Sequence, residues 1–229
     1  MRGTAATRPR PCVVDEPMRS SPLMQKGGFD IFEGLLDAEG RTHMLAEAMS
    51  LLRSAESSDA ETSDGEEFRG GSPARRFLSS AGGAVQDAFY HAQWMREFLQ
   101  EITGAQVTPS GGRGTYTYYA RLGDHLSLHR DVETCDLAVS TCLFDGPSLE
   151  GHGGVLCLYP NRIDEPLSAI RASPERGVVP VRLAPGQSLV MFGGIVPHSV
   201  VPVADRQLRI VSLLCYRVHA APSRLSPAS

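Results

Sequence analysis

GTYTYYARLGDHLSLHRD, residues 114–131, is where the chain changes texture. Tyrosines and threonines alternate through Tyr119, a turn signal follows at Gly123 and Asp124, and a second run ends in His129, Arg130 and Asp131. Runs of this kind between turn residues read as strands. The pattern continues C-terminally and predicts strands over 114–120, 126–131, 137–144, 154–159, 178–183, 188–192, 197–203 and 208–218. Short strands following one another in a single stretch predict an antiparallel sandwich or barrel, not alternating βα units.

N-terminal to this stretch the periodicity is helical. Met44, Leu45, Ala48, Met49, Leu51 and Leu52 predict a helix over roughly 37–54. Val85, Phe89, Ala92, Met95, Leu99 and Ile102 form one apolar face over 84–103, with Gly104 as the stop. Phe29–Phe32 reads as a short strand or docking segment. Residues 1–27, rich in Arg, Pro and Ser, read as a mobile tail. AESSDAETSDGEEFRGGSPA, residues 55–74, carries six acids and almost no apolar side chain, so it reads as a solvated loop, with a lid over a substrate as the sharper alternative. The expected organisation is the tail, then one domain over 28–229. That domain has a helical part at 28–110 and an all-β core at 114–219.

Composition narrows the function. With 22 basic against 26 acidic residues the net charge is −4, which argues against a nucleic-acid binder with a broad basic surface. No run of 18 apolar residues occurs, so no membrane helix is expected, and the charged N-terminus is not a secretory signal. The five cysteines (Cys12, Cys135, Cys142, Cys157, Cys215) are odd in number and lack a CxxC pair. They suggest neither a disulfide framework nor a zinc site, and fit a reducing cytoplasm. Cys142, Cys157 and Cys215 read as small core residues. Lys26 is the sole lysine, a usage that suggests a GC-rich, bacterial source.

Three features carry chemistry. On an extended segment residues two apart project to one side, so His129 and Asp131 can aim at one point while Arg130 points away. His198, in MFGGIVPHSVVPV (191–203), is far in sequence but reachable if the sheet folds back. Arg209 opens the strongest strand, RIVSLLCYR. Two imidazoles and a carboxylate on one face of a metal leave open positions, the ligand set of non-heme Fe(II) oxygenases. A guanidinium nearby could grip a carboxylate through two parallel hydrogen bonds.

In this order the motifs resemble the Fe(II)/2-oxoglutarate-dependent dioxygenases, closest to their prolyl-hydroxylase-like branch. The resemblance covers 114–219: TYTYYARLGDHLSLHRD, then GGVLCLYP, LAPGQSLVMFGG and PHSVVPVADRQLRIVSLLCY. It implies a mainly β fold with flanking helices, built on a double-stranded β-helix (jelly-roll) core. It implies His129, Asp131 and His198 as the catalytic iron ligands, and Arg209 as the anchor of the distal carboxylate of 2-oxoglutarate, with Arg206 as its rival. Tyr119 would hydrogen-bond the co-substrate, with Tyr118 the alternative if the register slips by one. Val211 stands where some members place a serine, so a second contact falls to Thr141 or Tyr119. The implied cofactor is Fe(II), with 2-oxoglutarate and dioxygen as co-substrates. The implied activity is hydroxylation of an unactivated C–H bond, because Asp131 fills the position that halogenating members leave open. The expected partner is a small metabolite such as an amino acid or natural-product intermediate, with a peptide or protein side chain as alternative. Neither nucleic acid nor membrane is expected.

Other readings are weighed against these. An HRD triplet also marks kinase catalytic loops, but Asp136 stands where those need Asn, and no Gly-rich loop precedes it. The same ligands could hold zinc in a cupin-like hydrolase or isomerase, which leaves the placed Arg and Tyr unexplained. A non-catalytic jelly-roll binding module explains none of them. His43, His91, His125, His152 and His219 read as ordinary surface or core residues, His125 and His152 with a small chance of lining the pocket. Trp94 reads as packing or surface, and Tyr116 with Tyr118 as a half-buried strand face. Arg75, Arg76, Arg121 and Arg162 could meet an anionic substrate but read first as surface charges.

Overall fold

The computed structural model describes residues 16–63, 67–146 and 153–219. Strand β1 (Phe29–Phe32), strands β2 (Glu56–Ala60) and β3 (Arg75–Ala81), and strand β4 (Gln106–Pro109) precede the core strands β5 (Thr115–Tyr119), β6 (His125–His129), β7 (Leu137–Asp145), β8 (Leu156–Leu158), β9 (Val179–Val181), β10 (Ser188–Met191), β11 (His198–Val200) and β12 (Arg209–His219). They pair antiparallel in the order β1-β10-β7-β12-β5-β3-β6-β11-β8-β9, with β2 on β3 and β4 on β12. The sheet curls on itself: side chains of β5, β6, β8, β10, β11 and β12 line one interior cavity. The eight core strands all fall where the alternation places them, and Phe29–Phe32 is a strand.

Alternation divides each strand between two layers. On β12, Arg209, Val211 and Leu213 face the cavity, while Ile210, Leu214 and Tyr216 pack outward in the two hydrophobic clusters beneath the helices. On β5, Thr117 and Tyr119 face in, and Tyr116 and Tyr118 face out and are fully buried, not half-buried. The outer face is covered by helix α3 (Ala38–Leu51), which presents Met44 and Ala48, and by the segment 84–103. That segment is two helices, α4 (Ala84–Tyr90) and α5 (Gln93–Thr103), not the single one predicted. The break has a tertiary cause. The Tyr90 carbonyl accepts from the Tyr216 hydroxyl at 3.0 Å, and Ala92, at ψ 135°, leaves the helical conformation. Gly104, at φ 65°, ends α5 as predicted.

Two N-terminal expectations change. Residues 16–27, expected in the tail, contain two short helices, α1 (Glu16–Arg19) and α2 (Pro22–Gln25), and Leu23 is in the core with Tyr90, Met95 and Leu99. The first half of the expected acidic loop is strand β2, paired through Asp59↔Arg76 and Ala60↔Arg75. Its sequence, ESSDA, has no strand propensity of its own. Cross-strand partners supply it: Arg75 donates to Ser58, and Arg121 to Ser57 and Asp59. Asp64 and Glu66 lie outside the described residues.

The five cysteines are not all free. Cys135 and Cys215 form a disulfide across 80 residues of sequence, which corrects the expectation of no disulfide and of Cys215 as a plain core residue. The pair is invisible locally, because only the β7–β12 pairing brings the two together. The cysteine argument for a reducing compartment lapses with it. Cys142 and Cys157 are free, Cys142 buried as expected, and Cys12 lies outside the described residues. Among the described residues no helix is long and apolar enough to cross a membrane.

Glu47 ties the helices to the sheet. Its carboxylate accepts from the backbone N–H groups of Val85 (2.7 Å) and Gln86 (3.0 Å) at the start of α4, and from the Tyr116 hydroxyl (2.7 Å). Burial pushes this carboxyl up, but the three donors together outweigh it and hold it below the ordinary range. A lowered folded value stabilises above the unfolded value and is lost as pH falls through the folded one. Glu47→Ala is expected to cost about 2–3 kcal/mol at pH 7, because it strands a buried hydroxyl and uncaps α4. In urea melts the gap between the two proteins should narrow as pH falls below about 4. A constant difference from pH 7 to pH 3 would contradict the assignment.

Candidate active site

His129 ends β6 and pairs in register with His198, the first residue of β11. Asp131 follows two residues on, its N–H donating to the Gly193 carbonyl at 2.8 Å. Asp131 Oδ1 lies 3.5 Å from His129 Nε2 and 3.6 Å from His198 Nε2, and one ligand atom from each residue lies within 4.8 Å of the others. All three line the cavity. His129 Nδ1 donates to the Ser127 carbonyl (2.8 Å) and His198 Nδ1 to the Val196 carbonyl (2.9 Å). A carbonyl only accepts, so each Nδ1 carries the proton and each Nε2 turns a lone pair toward Asp131. Two neutral imidazole nitrogens and a carboxylate, each imidazole oriented by its own backbone, fit a divalent transition metal.

Burial would lower His198, but Asp131 lifts it, so the cluster draws a positive charge to this point, as a bound metal ion would supply. Burial alone would raise the Asp131 carboxyl, but His198 and His129 outweigh it and hold it far below the usual range. Burial, then the neighbouring His198, pushes His129 down. Space is reserved as well: a Cβ on Gly193 would sit 1.8 Å from Asp131 Oδ2.

The cavity has a volume of about 120 Å³. Phe77, Leu126, Leu156, Leu183, Met191 and Val200 give it apolar walls. Arg209 and Tyr119 stand in register across β12 and β5 and both face in. Arg209 Nη1 donates to Asp145 Oδ2 at 3.0 Å and to the Leu183 carbonyl at 3.5 Å. Among the described residues neither its Nε–Nη2 edge nor the Tyr119 hydroxyl has a hydrogen-bond partner. Tyr118 faces α3 instead, donating to the Ala48 carbonyl at 2.8 Å. Arg206 is exposed beside Asp205 and contributes nothing here. Thr141 faces away and bonds Ser188.

Several residues sequence reasoning set aside or missed shape the site. Arg130 does point away: it is 3% exposed and donates to the carbonyls of Phe68, Ile163, Glu165 and Ile195. It thereby fastens the surrounding loops to the ligand strand. Arg69, from the expected acidic loop, donates to the carbonyls of Asp131 (3.1 Å) and Val132 (2.8 Å) and pairs with Asp136 at 2.8 Å. Only contacts more than 60 residues apart reveal it. Arg75, Arg76, Arg121 and Arg162 all have protein partners, and Arg162 is buried against Glu165, not a surface charge. His125 bonds the Gly123 carbonyl outside the cavity. His152 lies outside the described residues.

No protein-family model and no curated protein matches the chain. Solved structures do. A prolyl hydroxylase from Trichoplax adhaerens, in complex with a hypoxia inducible factor oxygen degradation domain peptide fragment, is 18% identical over 85% of this chain and 86% of that one, with TM-score 0.56. A Pseudomonas putida prolyl-4-hydroxylase is 16% identical over 85% and 96%, with TM-score 0.58. The epimerase SnoN, in complex with Fe3+, alpha ketoglutarate and nogalamycin RO, is 15% identical over 86% and 83%, with TM-score 0.60. The chain therefore has the jelly-roll fold of the 2-oxoglutarate- and Fe(II)-dependent oxygenases, with an HxD…H metal-type cluster where its strands converge.

Proposed function

We propose that the protein is an Fe(II)- and 2-oxoglutarate-dependent oxygenase that hydroxylates an unactivated C–H bond of a small metabolite, such as an amino acid or natural-product intermediate. The carrying observation is that His129, Asp131 and His198 share one apolar-walled cavity with Arg209 and Tyr119. A cupin-like hydrolase or a silent binding module gives the second pair no task. In this reading His129, Asp131 and His198 hold the metal. Arg209 receives the distal carboxylate of 2-oxoglutarate on its Nε–Nη2 edge, and the Tyr119 hydroxyl donates to the same ligand. Bound Fe(II) and 2-oxoglutarate would supply oxidative decarboxylation coupled to C–H oxidation. The apolar walls keep bulk water from the reacting atoms.

The SnoN likeness, a protein solved with a small natural product, supports the substrate class. The second reading, a peptide substrate, takes support from the Trichoplax complex. The test is anaerobic titration with Fe(II) and 2-oxoglutarate, followed by visible absorption. A weak charge-transfer band requiring both components is expected. No band together with tight zinc binding would favour the hydrolase. Succinate release across panels of metabolites and peptides then separates the substrate classes. Stimulation by peptides alone would overturn the small-molecule assignment.

A further inference from the structure

Arg209, which lines the cavity, belongs to a larger ionic cluster behind the wall. Asp145, at the end of β7, stands opposite Arg209 in register. Its Oδ2 accepts from Arg209 Nη1 (3.0 Å) and Arg182 Nε (2.9 Å). Its Oδ1 accepts from Arg182 Nη2 (3.1 Å) and Gln207 Nε2 (3.2 Å). Arg182 thus grips both oxygens as a fork. The side chains of Arg209 and Asp145 are 5% and 7% exposed, whereas Arg182 reaches the surface at 36%.

We propose that Asp145 is a positioning residue for Arg209, and that Arg182 keeps Asp145 from neutralising it. The inference rests on the co-substrate reading above. A lone guanidinium on an apolar wall can rotate about its long stem. Here Nη1 is committed to Asp145 and the Leu183 carbonyl, so the Nε–Nη2 edge is the face left to the cavity. That edge is a flat pair of donors matching one carboxylate. A single Asp145–Arg209 pair would be neutral and attract an anion weakly. With Arg182 added, two cations against one anion leave a net +1, which one carboxylate of an oxo dicarboxylic acid balances.

The test compares 2-oxoglutarate with 2-oxobutyrate, which lacks the distal carboxylate, binding to Mn(II)-loaded protein in anaerobic calorimetry. The wild type should prefer the dicarboxylate. Asp145→Ala should lose about tenfold of that preference, the worth of one charge-assisted hydrogen bond. Affinity for Mn(II) and for 2-oxobutyrate should stay as in the wild type. Asp145→Asn, which keeps an acceptor for Nη1, should recover part. Arg182→Gln should lower the preference by a similar factor through charge alone, and this pair of variants decides the matter if Asp145→Ala does not fold. A preference in Asp145→Asn no higher than in Asp145→Ala, or an unchanged or greater preference in Arg182→Gln, would overturn the proposal, as would equal weakening of both oxo acids. A wild type that does not distinguish the two acids would instead overturn the co-substrate reading beneath it.

Discussion

Asp131→Ala and His198→Ala should each weaken Fe(II) or Mn(II) binding by more than a hundredfold and abolish succinate formation. Loss of an outer partner of a metal ligand already costs about 10–100-fold, and removal of one of three ligands costs more. His198 opens β11 and Asp131 follows the end of β6, and neither belongs to the hydrophobic clusters. Melting temperature should therefore change little. Gly193→Ala gives a sharper check. Its Cβ would fall 1.8 Å from Asp131 Oδ2, and the backbone there is held by the Asp131 N–H. It should impair metal binding about tenfold or more without removing any ligand. Gly194→Ala would meet the Arg69 guanidinium, which holds the Asp131 and Val132 carbonyls, so it should reach the site only through that tether and have the smaller effect. Wild-type metal affinity in Asp131→Ala, read by calorimetry, would remove His129, Asp131 and His198 as the site.

Reduction of the Cys135–Cys215 disulfide should lower stability by about 3–4 kcal/mol, since the bridge closes an 80-residue span and restricts the unfolded chain. In a protein of this size that corresponds to roughly a 10 °C drop in Tm. The Cys135→Ser variant should melt like the reduced protein, and reductant should leave its Tm unchanged. The bond also reaches the site. Cys135 lies four residues beyond Asp131, in a loop also held by Arg69–Asp136 and by the Val218 N–H on Asp136. Thiol titration of the unfolded, unreduced chain should find three reactive thiols, rising to five on reduction. Five thiols without reductant, or equal melting with and without it, would contradict the bridge.

The local pattern was enough to locate the eight core strands, because burial on one face of a strand imposes a period of two that the residues display directly. The same period separated His129 and Asp131 from Arg130, and the order of motifs pointed to Arg209 and Tyr119. Where period failed, another chain segment decided. ESSDA became a strand because β3 and Arg121 satisfy it, and 84–103 broke because the Tyr216 hydroxyl takes the Tyr90 carbonyl.

The choice between Tyr119 and Tyr118, and between Arg209 and Arg206, was open by one residue or by three in the sequence. Register decided which of them face the cavity, Tyr119 and Arg209, since a strand position has one face and only the folded sheet says which face is inside. Residue identity and spacing thus determined the candidate ligand set and the positions of the core strands along this chain. The pairing of β7 with β12 decided what no local pattern holds: that Cys135 meets Cys215, and that Asp145 meets Arg209. Those partners are separated by 80 and 64 residues, and only the closure of the sheet brings them within bonding distance.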